Sequence, residues 1–267
     1  MAISRLVLGI PIGKEYLMWW KKMNSKSVLN IEGGNDIKKY YVCDAEGNEL
    51  FSCEDLIECH DFSGIGYHYL FAFSGVSNDN LGGLVNGQFV TLKSSLFSGR
   101  LDVAFTVKKI FKKKNGLFYF YIEDLRQGAY EFGTLAFLQL HENDPGRIWL
   151  GMKGDSKRIY LSASYLLNGE SYSLNKETVI IEGKYIHDYY SFFCEFGYAL
   201  FGDFGFAGNS IYSLEDFLNG ISKKDLTWKD SDISLKAIDN TIPSGYRGRS
   251  SYDLLAVLEE NFNLKLQ

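Results

Sequence analysis

Apolar positions in this chain gather in short runs over its first two thirds and fall at helical spacing over its last third. The short runs read as strands at Lys38–Val42, Glu49–Cys53, Tyr67–Phe73, Gln88–Lys93, Leu101–Phe111, Leu117–Glu123, Thr134–His141, Arg147–Gly151 and Arg158–Ser162. Polar, turn-prone stretches separate them, the spacing of an all-β domain. Asp44-Ala-Glu-Gly-Asn48 reads as a hairpin turn between the first two strands. Lys112-Lys-Lys-Asn-Gly116 reads as another, since its Asn-Gly pair supplies the positive-φ residues that a tight hairpin needs. Residues 1–173 are therefore expected to form a β-rich domain, a sandwich or partly open barrel. At its start, Leu6–Ile12 reads as a first strand and Gly13–Met23 as a short helix. The same apolar run behind Arg5 has the look of a signal core, but Lys14 and Glu15 follow it at once and no small-x-small cleavage site stands where one is needed.

The pattern changes near residue 174, after the polar stretch Leu167–Asn175. Thr178–Gly183 reads as a strand ending in a turn. Asp188 is placed to cap a helix with Phe192, Phe193, Phe196, Ala199 and Leu200 inward. A glycine-rich loop, 201–210, leads to a second helix with Ile211, Leu214, Phe217 and Leu218 on one face and Gly220 as its stop. Asp225–Lys229 reads as a strand, and Ser231–Ser250 as irregular. Ser250 or Ser251 caps a third helix with Leu254, Leu255, Val257 and Leu258 inward, and Asn263–Gln267 closes the chain as a strand. Strands separated by helices in this β-α-α-β-α-β order favour a small, mainly parallel sheet with helices packed on it. The expected domains are thus 1–173, β-rich, and 174–267, α/β.

Composition narrows the function classes. Of 267 residues, 46 % are apolar and 23 % charged, ordinary values for a folded chain, so long disorder is not expected. The formal net charge of −5 disfavours a general polyanion binder. That charge is unevenly placed: residues 178–267 hold 13 acidic and 8 basic side chains, while the rest of the chain sums to zero. The last third is where a basic partner would bind. No apolar run reaches the ~20 residues that span a bilayer. Four cysteines, Cys43, Cys53, Cys59 and Cys194, are too few for a disulfide scaffold in a chain of this size, and a cytoplasmic location is the simplest expectation. The set Cys53, Cys59, His60 and His68 lacks the close ligand pairs of a structural zinc site and reads better as buried thiols and surface histidines. No metal or cofactor is expected.

Within the last third, Gly205-Phe-Ala-Gly208 runs into Asn-Ser-Ile-Tyr-Ser-Leu-Glu-Asp-Phe-Leu218. This segment resembles the barstar family, intracellular protein inhibitors of a secreted bacterial ribonuclease. The family's motif is an aromatic-Gly-x-Asn loop opening a helix of the form Leu-Asp-Ala-Leu-x-Asp-Cys-Leu. Gly208 matches the loop glycine, Ile211, Leu214 and Leu218 match the apolar positions, and Asp216 matches the second acid. Val179-Ile-Ile-Glu-Gly183, Leu226-Thr-Trp228, Tyr252–Glu260 and Leu264-Lys-Leu266 match the family's remaining elements in order. Tyr212 stands where the first acid of the helix usually sits, Ser210 at the usual Asn unless Asn209 fills it by a one-residue shift, and Phe217 at the usual Cys. The loop before the last helix is longer than usual. The hairpin Tyr40–Leu56 is also similar to the front half of longer barstar-like bacterial proteins.

The resemblance implies an immunity protein that blocks a cognate basic ribonuclease toxin and performs no catalysis itself. The toxin-facing residues it implies are Phe206, Asn209, Tyr212, Glu215 and Asp216, with Glu259 and Glu260 on the last helix. Carboxylates on a rigid helix can stand in for the phosphates that such an active site holds with Arg, Lys and His. Two rival classes come from the residues alone. Lys108-Lys-Ile-Phe-Lys-Lys-Lys114 followed by Phe118-Tyr-Phe-Tyr121 offers a basic hairpin with an aromatic row for single-stranded RNA. An uncharacterised hydrolase has only His60, His68, His141 and His187 as histidine bases, none in a nucleophile, P-loop or zinc motif.

Overall fold

The computed structural model describes residues 39–61, 68–78, 80–112, 117–126, 129–169, 174, 176–219, 222–246 and 250–267. The strand expected at 6–12 and the helix expected at 13–23 lie outside them. The chain is mixed α/β and divides into two compact units, residues 1–128 and 129–267. The boundary expected after residue 173 falls inside the second unit. No helix among the described residues is long and apolar enough to cross a membrane.

The first unit is built on a seven-stranded antiparallel sheet. Its strands are β1 (Tyr40–Cys43), β2 (Glu49–Cys53), β3 (Asp55–Asp61), β4 (His68–Ser74), β5 (Phe89–Ser94), β6 (Asp102–Lys112) and β7 (Phe118–Arg126). Their spatial order is β2-β1-β5-β6-β7-β4-β3. The two end strands of that order, β2 and β3, are separated in sequence by Glu54 alone, so the sheet curls until its ends meet there. Phe51 of β2 accordingly touches Phe73 of β4 and Phe120 of β7, with ring centroids 5.5 and 5.8 Å apart. The Asp44–Asn48 turn forms as expected. Asp44 accepts from the Asn48 backbone (2.8 Å) and side-chain amide (3.0 Å), and Gly47 supplies φ +87°.

Successive strand residues face opposite sides of the sheet, and β7 shows what that does to an aromatic row. Phe118 and Phe120 pair with Phe73 and Phe71 of β4 and are buried with them. Tyr119 is buried on the opposite face with Leu70 and Ala72. Only Tyr121 stays partly open, and Phe111 leans on it with ring centroids 5.4 Å apart. The row proposed for stacking bases is therefore mostly core. Lys108, from the basic run, pairs with Glu123 at 3.1 Å.

Three segments expected as strands have another form. Thr134–His141 is a helix, α1, and Arg158–Ser162 lies within a longer helix, α2 (Lys157–Asn168). Arg147–Gly151 is mostly a single 3-10 turn, Ile148–Gly151. A short apolar run has no periodicity that separates a buried strand from a buried helix. In α1 the burial follows helical spacing, with Leu135 and Leu138 buried three apart, while in α2 the whole run Tyr160–Ser164 is buried. The converse case is β3, which carries two Asp and one Glu, residues depleted in strands, yet pairs with β4 along its whole length.

The second unit carries a parallel sheet of three strands, β8 (Thr178–Glu182), β9 (Lys224–Lys229) and β10 (Phe262–Leu266), in the order β10-β9-β8. Between the strands lie α3 (Tyr189–Phe201), α4 (Ile211–Leu218), α5 (Ser231–Asp239) and α6 (Ser251–Asn261). Val179, Ile181, Leu226 and Trp228 are fully buried on one sheet face. Phe192 of α3 packs on Trp228, and Phe196 on Phe262, at 5.2 and 6.1 Å. The segment read as irregular holds α5. Its inward residues are Ser231, Ser234 and Ile238, so two of three are serines and leave no apolar stripe to read. Ser234 is there for a hydrogen bond, accepting from the Trp228 indole at 2.9 Å.

Two buried ion pairs tie the stretch before β8 to this core. Arg147 donates twice to Glu195 of α3, at 2.6 and 2.9 Å, and its guanidinium lies between the rings of Tyr185 and Tyr198, 4.3 and 4.2 Å from their centroids. The hydrogen bonds to Glu195 hold the Arg147 pKa above its usual value. Glu195 also accepts from the Glu182 backbone on strand β8, at 3.3 Å. Lys157 donates at 2.6 Å to Asp188, whose other carboxylate oxygen caps α3 at Ser191.

Candidate functional site

α4 carries the residues on which the functional reading rests, and its geometry follows from local chemistry. α3 stops at Gly202, φ +86°. The loop then passes Gly205, which touches α3 backbone to backbone. A Cβ on Gly205 would sit 2.1 Å from the Gly197 carbonyl oxygen. At Gly208 φ is +98°, and a Cβ there would meet the Leu214 amide and the Ser213 hydroxyl, each at 2.8 Å. Ser210 then caps α4. Its hydroxyl accepts from the Ser213 amide (3.2 Å), and the Ser213 hydroxyl accepts from the Ser210 amide (3.0 Å), a reciprocal capping box.

The helix buries Ile211, Leu214, Phe217 and Leu218 and leaves Tyr212, Glu215 and Asp216 exposed. Tyr212 is 53 % exposed. Tyr212 and Asp216 are four residues apart and share a face, while Glu215 turns about 100° from Asp216. Neither carboxylate is in an ion pair among the described residues.

α6 packs against α4. It is capped by Ser250, and Ser251 is tied to Asp239 by two hydrogen bonds of 2.7 and 2.8 Å. Leu254, Val257 and Leu258 face inward, whereas Leu255 is only half-buried. Glu259 and Glu260 are exposed, as expected. Lys223 donates to the Glu259 carbonyl at 3.2 Å, satisfying an end of the helix with a cation.

No protein-family model, curated protein or solved structure matches this chain.

The structure corrects one expected surface residue and changes the role of another. Phe206 is 4 % exposed and packs on Tyr165 of α2, ring centroids 5.3 Å apart, so it anchors the loop and offers no side chain to a partner. Asn209 is half-buried, and its side-chain oxygen faces the Ser213 hydroxyl at 3.2 Å, inside the cap. In exchange the structure exposes Tyr252, in the first turn of α6, at 78 %. The sequence signal for it is its position out of phase with Leu254, Val257 and Leu258. Among the described residues no His, Cys, Asp and Glu cluster could hold a metal ion. Of the set Cys53, Cys59, His60 and His68, only the Cys53 side chain is described, and it is buried.

The close approach at Gly205 is testable. Gly205→Ala has to force the loop off α3, a backbone contact with no side chain to give way. We expect a stability loss of about 1–3 kcal/mol, the range of an overpacked core site, read by urea unfolding. A Gly205→Ala protein as stable as the parent would mean that the loop does not rest on Gly197.

Proposed function

We propose that this chain is an immunity-type inhibitor whose second unit occupies the active site of a small basic ribonuclease. The observation that carries the reading is the outer row of α4. Tyr212, Glu215 and Asp216 stand exposed on a short, doubly capped helix, and the carboxylates have no cation of their own among the described residues. Exposed Tyr252, Glu259 and Glu260 lie on the helix packed against it. A basic cleft would satisfy these carboxylates by charge-assisted hydrogen bonds, and opposite fields would speed capture of a toxin before it cuts RNA. The two tyrosines supply the amphipathic anchors that interfaces favour. The order of elements in residues 178–267 and the loop motif at 205–218 support the barstar-like assignment.

The first unit is the less informative half. Joining of its end strands at Glu54 favours the barrel reading over the sandwich. Its aromatic row is largely core, which removes the main support for RNA binding. The protein itself then turns over no substrate and works in the compartment where the toxin would do harm, the cytoplasm.

The test takes any small basic nuclease that a gene adjoining this one is found to encode and follows cleavage of a fluorogenic RNA. Addition of the full chain should abolish cleavage at one inhibitor per nuclease, and co-expression should protect the host cell. Undiminished cleavage at a tenfold excess of the chain would sink the proposal.

A further inference from the structure

The loop that opens α4 is held mainly by residues that precede the α/β sheet. Phe204 adopts the left-handed conformation, φ 52°, that a phenylalanine rarely takes unless its surroundings impose it. Both backbone groups of Phe204 are taken by side chains of α2. Its amide donates to the Tyr160 hydroxyl at 3.2 Å, and its carbonyl accepts from the Asn168 amide at 2.8 Å. The Tyr160 ring stacks on the Phe204 ring at 5.3 Å. One turn further along α2, Tyr165 holds Phe206. Phe137 of α1 approaches Phe204 at 6.4 Å, and the Gly146 amide donates to the Asp203 carboxylate at 2.7 Å. Residues 203, 204 and 206 are thus each fixed from the stretch 137–168.

α4 itself is eight residues long. Isolated helices below about 12–15 residues are marginal in water. Its direction is therefore inherited from what holds its two ends, and the loop at residues 202–210 holds the first.

We propose that α1, α2 and the turn between them form a clamp that positions the α4 face, with Tyr160 and Asn168 as its positioning residues. The consequence for binding rests on the ribonuclease-inhibitor reading; the clamp itself does not. With the clamp released, the loop samples other conformations around residue 204, and Tyr212 and Asp216 are presented with less order. A partner then has to pay the cost of ordering them, which appears as faster dissociation.

The experiment uses the full chain and three variants, Tyr160→Phe, Asn168→Ala and the double substitution. Tyr160→Phe keeps the stacked ring and removes only the hydroxyl, so it should fold. Hydrogen exchange is followed amide by amide. The double variant should exchange at residues 204–208 about tenfold faster or more, with β8, β9 and β10 unchanged. Dissociation from the cognate basic nuclease should quicken about fivefold or more, with Asp216 intact. Unchanged exchange at 204–208 would overturn the clamp. Acceleration spread equally over β9 and α3 would make Tyr160 and Asn168 ordinary core supports and overturn their positioning role. Faster local exchange with unchanged dissociation would likewise overturn that role. If the unaltered chain binds no nuclease, the inhibitor reading fails, and the exchange measurement alone decides the clamp.

Discussion

Arg147→Met should destabilise the second unit by about 3–5 kcal/mol, the cost of breaking a buried ion pair by removing one partner. Glu195 is fully buried on α3 and has two hydrogen bonds from Arg147. Without the guanidinium, the Glu182 amide at 3.3 Å is the one partner its carboxylate keeps among the described residues. The methionine fills much of the space between Tyr185 and Tyr198, so the loss reports the charge more than the packing. Glu195→Gln should cost less, because the Arg147 side chain is 22 % exposed and can turn to water. Pairing Arg147→Met with Glu195→Met should recover part of the loss, since an apolar pair needs no compensation. Lys229→Ala is the contrasting control. Its bond to Glu182 spans 2.7 Å, but the Lys229 side chain is 43 % exposed, and such pairs contribute about 0–1 kcal/mol. Urea unfolding followed at the β8 and β9 amides checks all four. A loss below about 1 kcal/mol for Arg147→Met would mean that the Arg147–Glu195 pair is not what holds the stretch before β8 to the core.

Under the proposed function, Asp216→Ala should weaken nuclease binding by about 2–5 kcal/mol, the range for truncating one partner of a hydrogen-bonded charge pair buried on association. Asp216 is exposed in the free chain, and alanine is the better helix former, so folding should be little disturbed. Glu259→Ala and Glu260→Ala should cost less and act mostly on the association rate, as solvated rim charges do. Tyr212→Ala and Tyr252→Ala should lose affinity with little change in its salt dependence, because they contribute area and not charge. Titration of the nuclease at two salt concentrations separates these cases. Full affinity in a folded Asp216→Ala protein would move the binding site away from α4.

Much of the second unit is legible in its local sequence. The caps are local: Asp188 three residues before Ser191, Ser210 before Ser213, and Ser250 before Asp253 each form the reciprocal bonds of a capping box. The inward stripes of α4 and α6 are spaced at three and four residues, which leaves a helix as the one way to bury them together, whereas α3 is buried all round from Tyr189 to Gly197 and Ala199 is only half-buried. Exposure of Tyr212, Glu215 and Asp216 follows from the same spacing, because a helix that buries Ile211, Leu214 and Leu218 turns those positions outward. β1 and β2 are equally legible, through the Asp44–Asn48 turn, and β6 and β7 pair as expected, while the turn expected at 113–116 lies outside the described residues.

Other features are decided by contacts distant in sequence. The run Thr134–His141 reads the same as a strand or a buried helix, and α2 packed beside it settles the choice. α5 hides its inward face in serines whose value lies in a hydrogen bond to Trp228. Phe206 looks like a surface aromatic until Tyr165, 41 positions earlier, covers it. The domain boundary moves for the same reason, since α1 packs on α2 and α2 packs on α3, which lies after residue 173. Hydrogen-bonded caps, apolar spacing and tight turns depend on residues within about five of one another, and the sequence by itself determined those. Which aromatic is covered, which cation meets Glu195 and what holds Phe204 in its left-handed conformation depend on where the chain returns, and only the tertiary structure decided them.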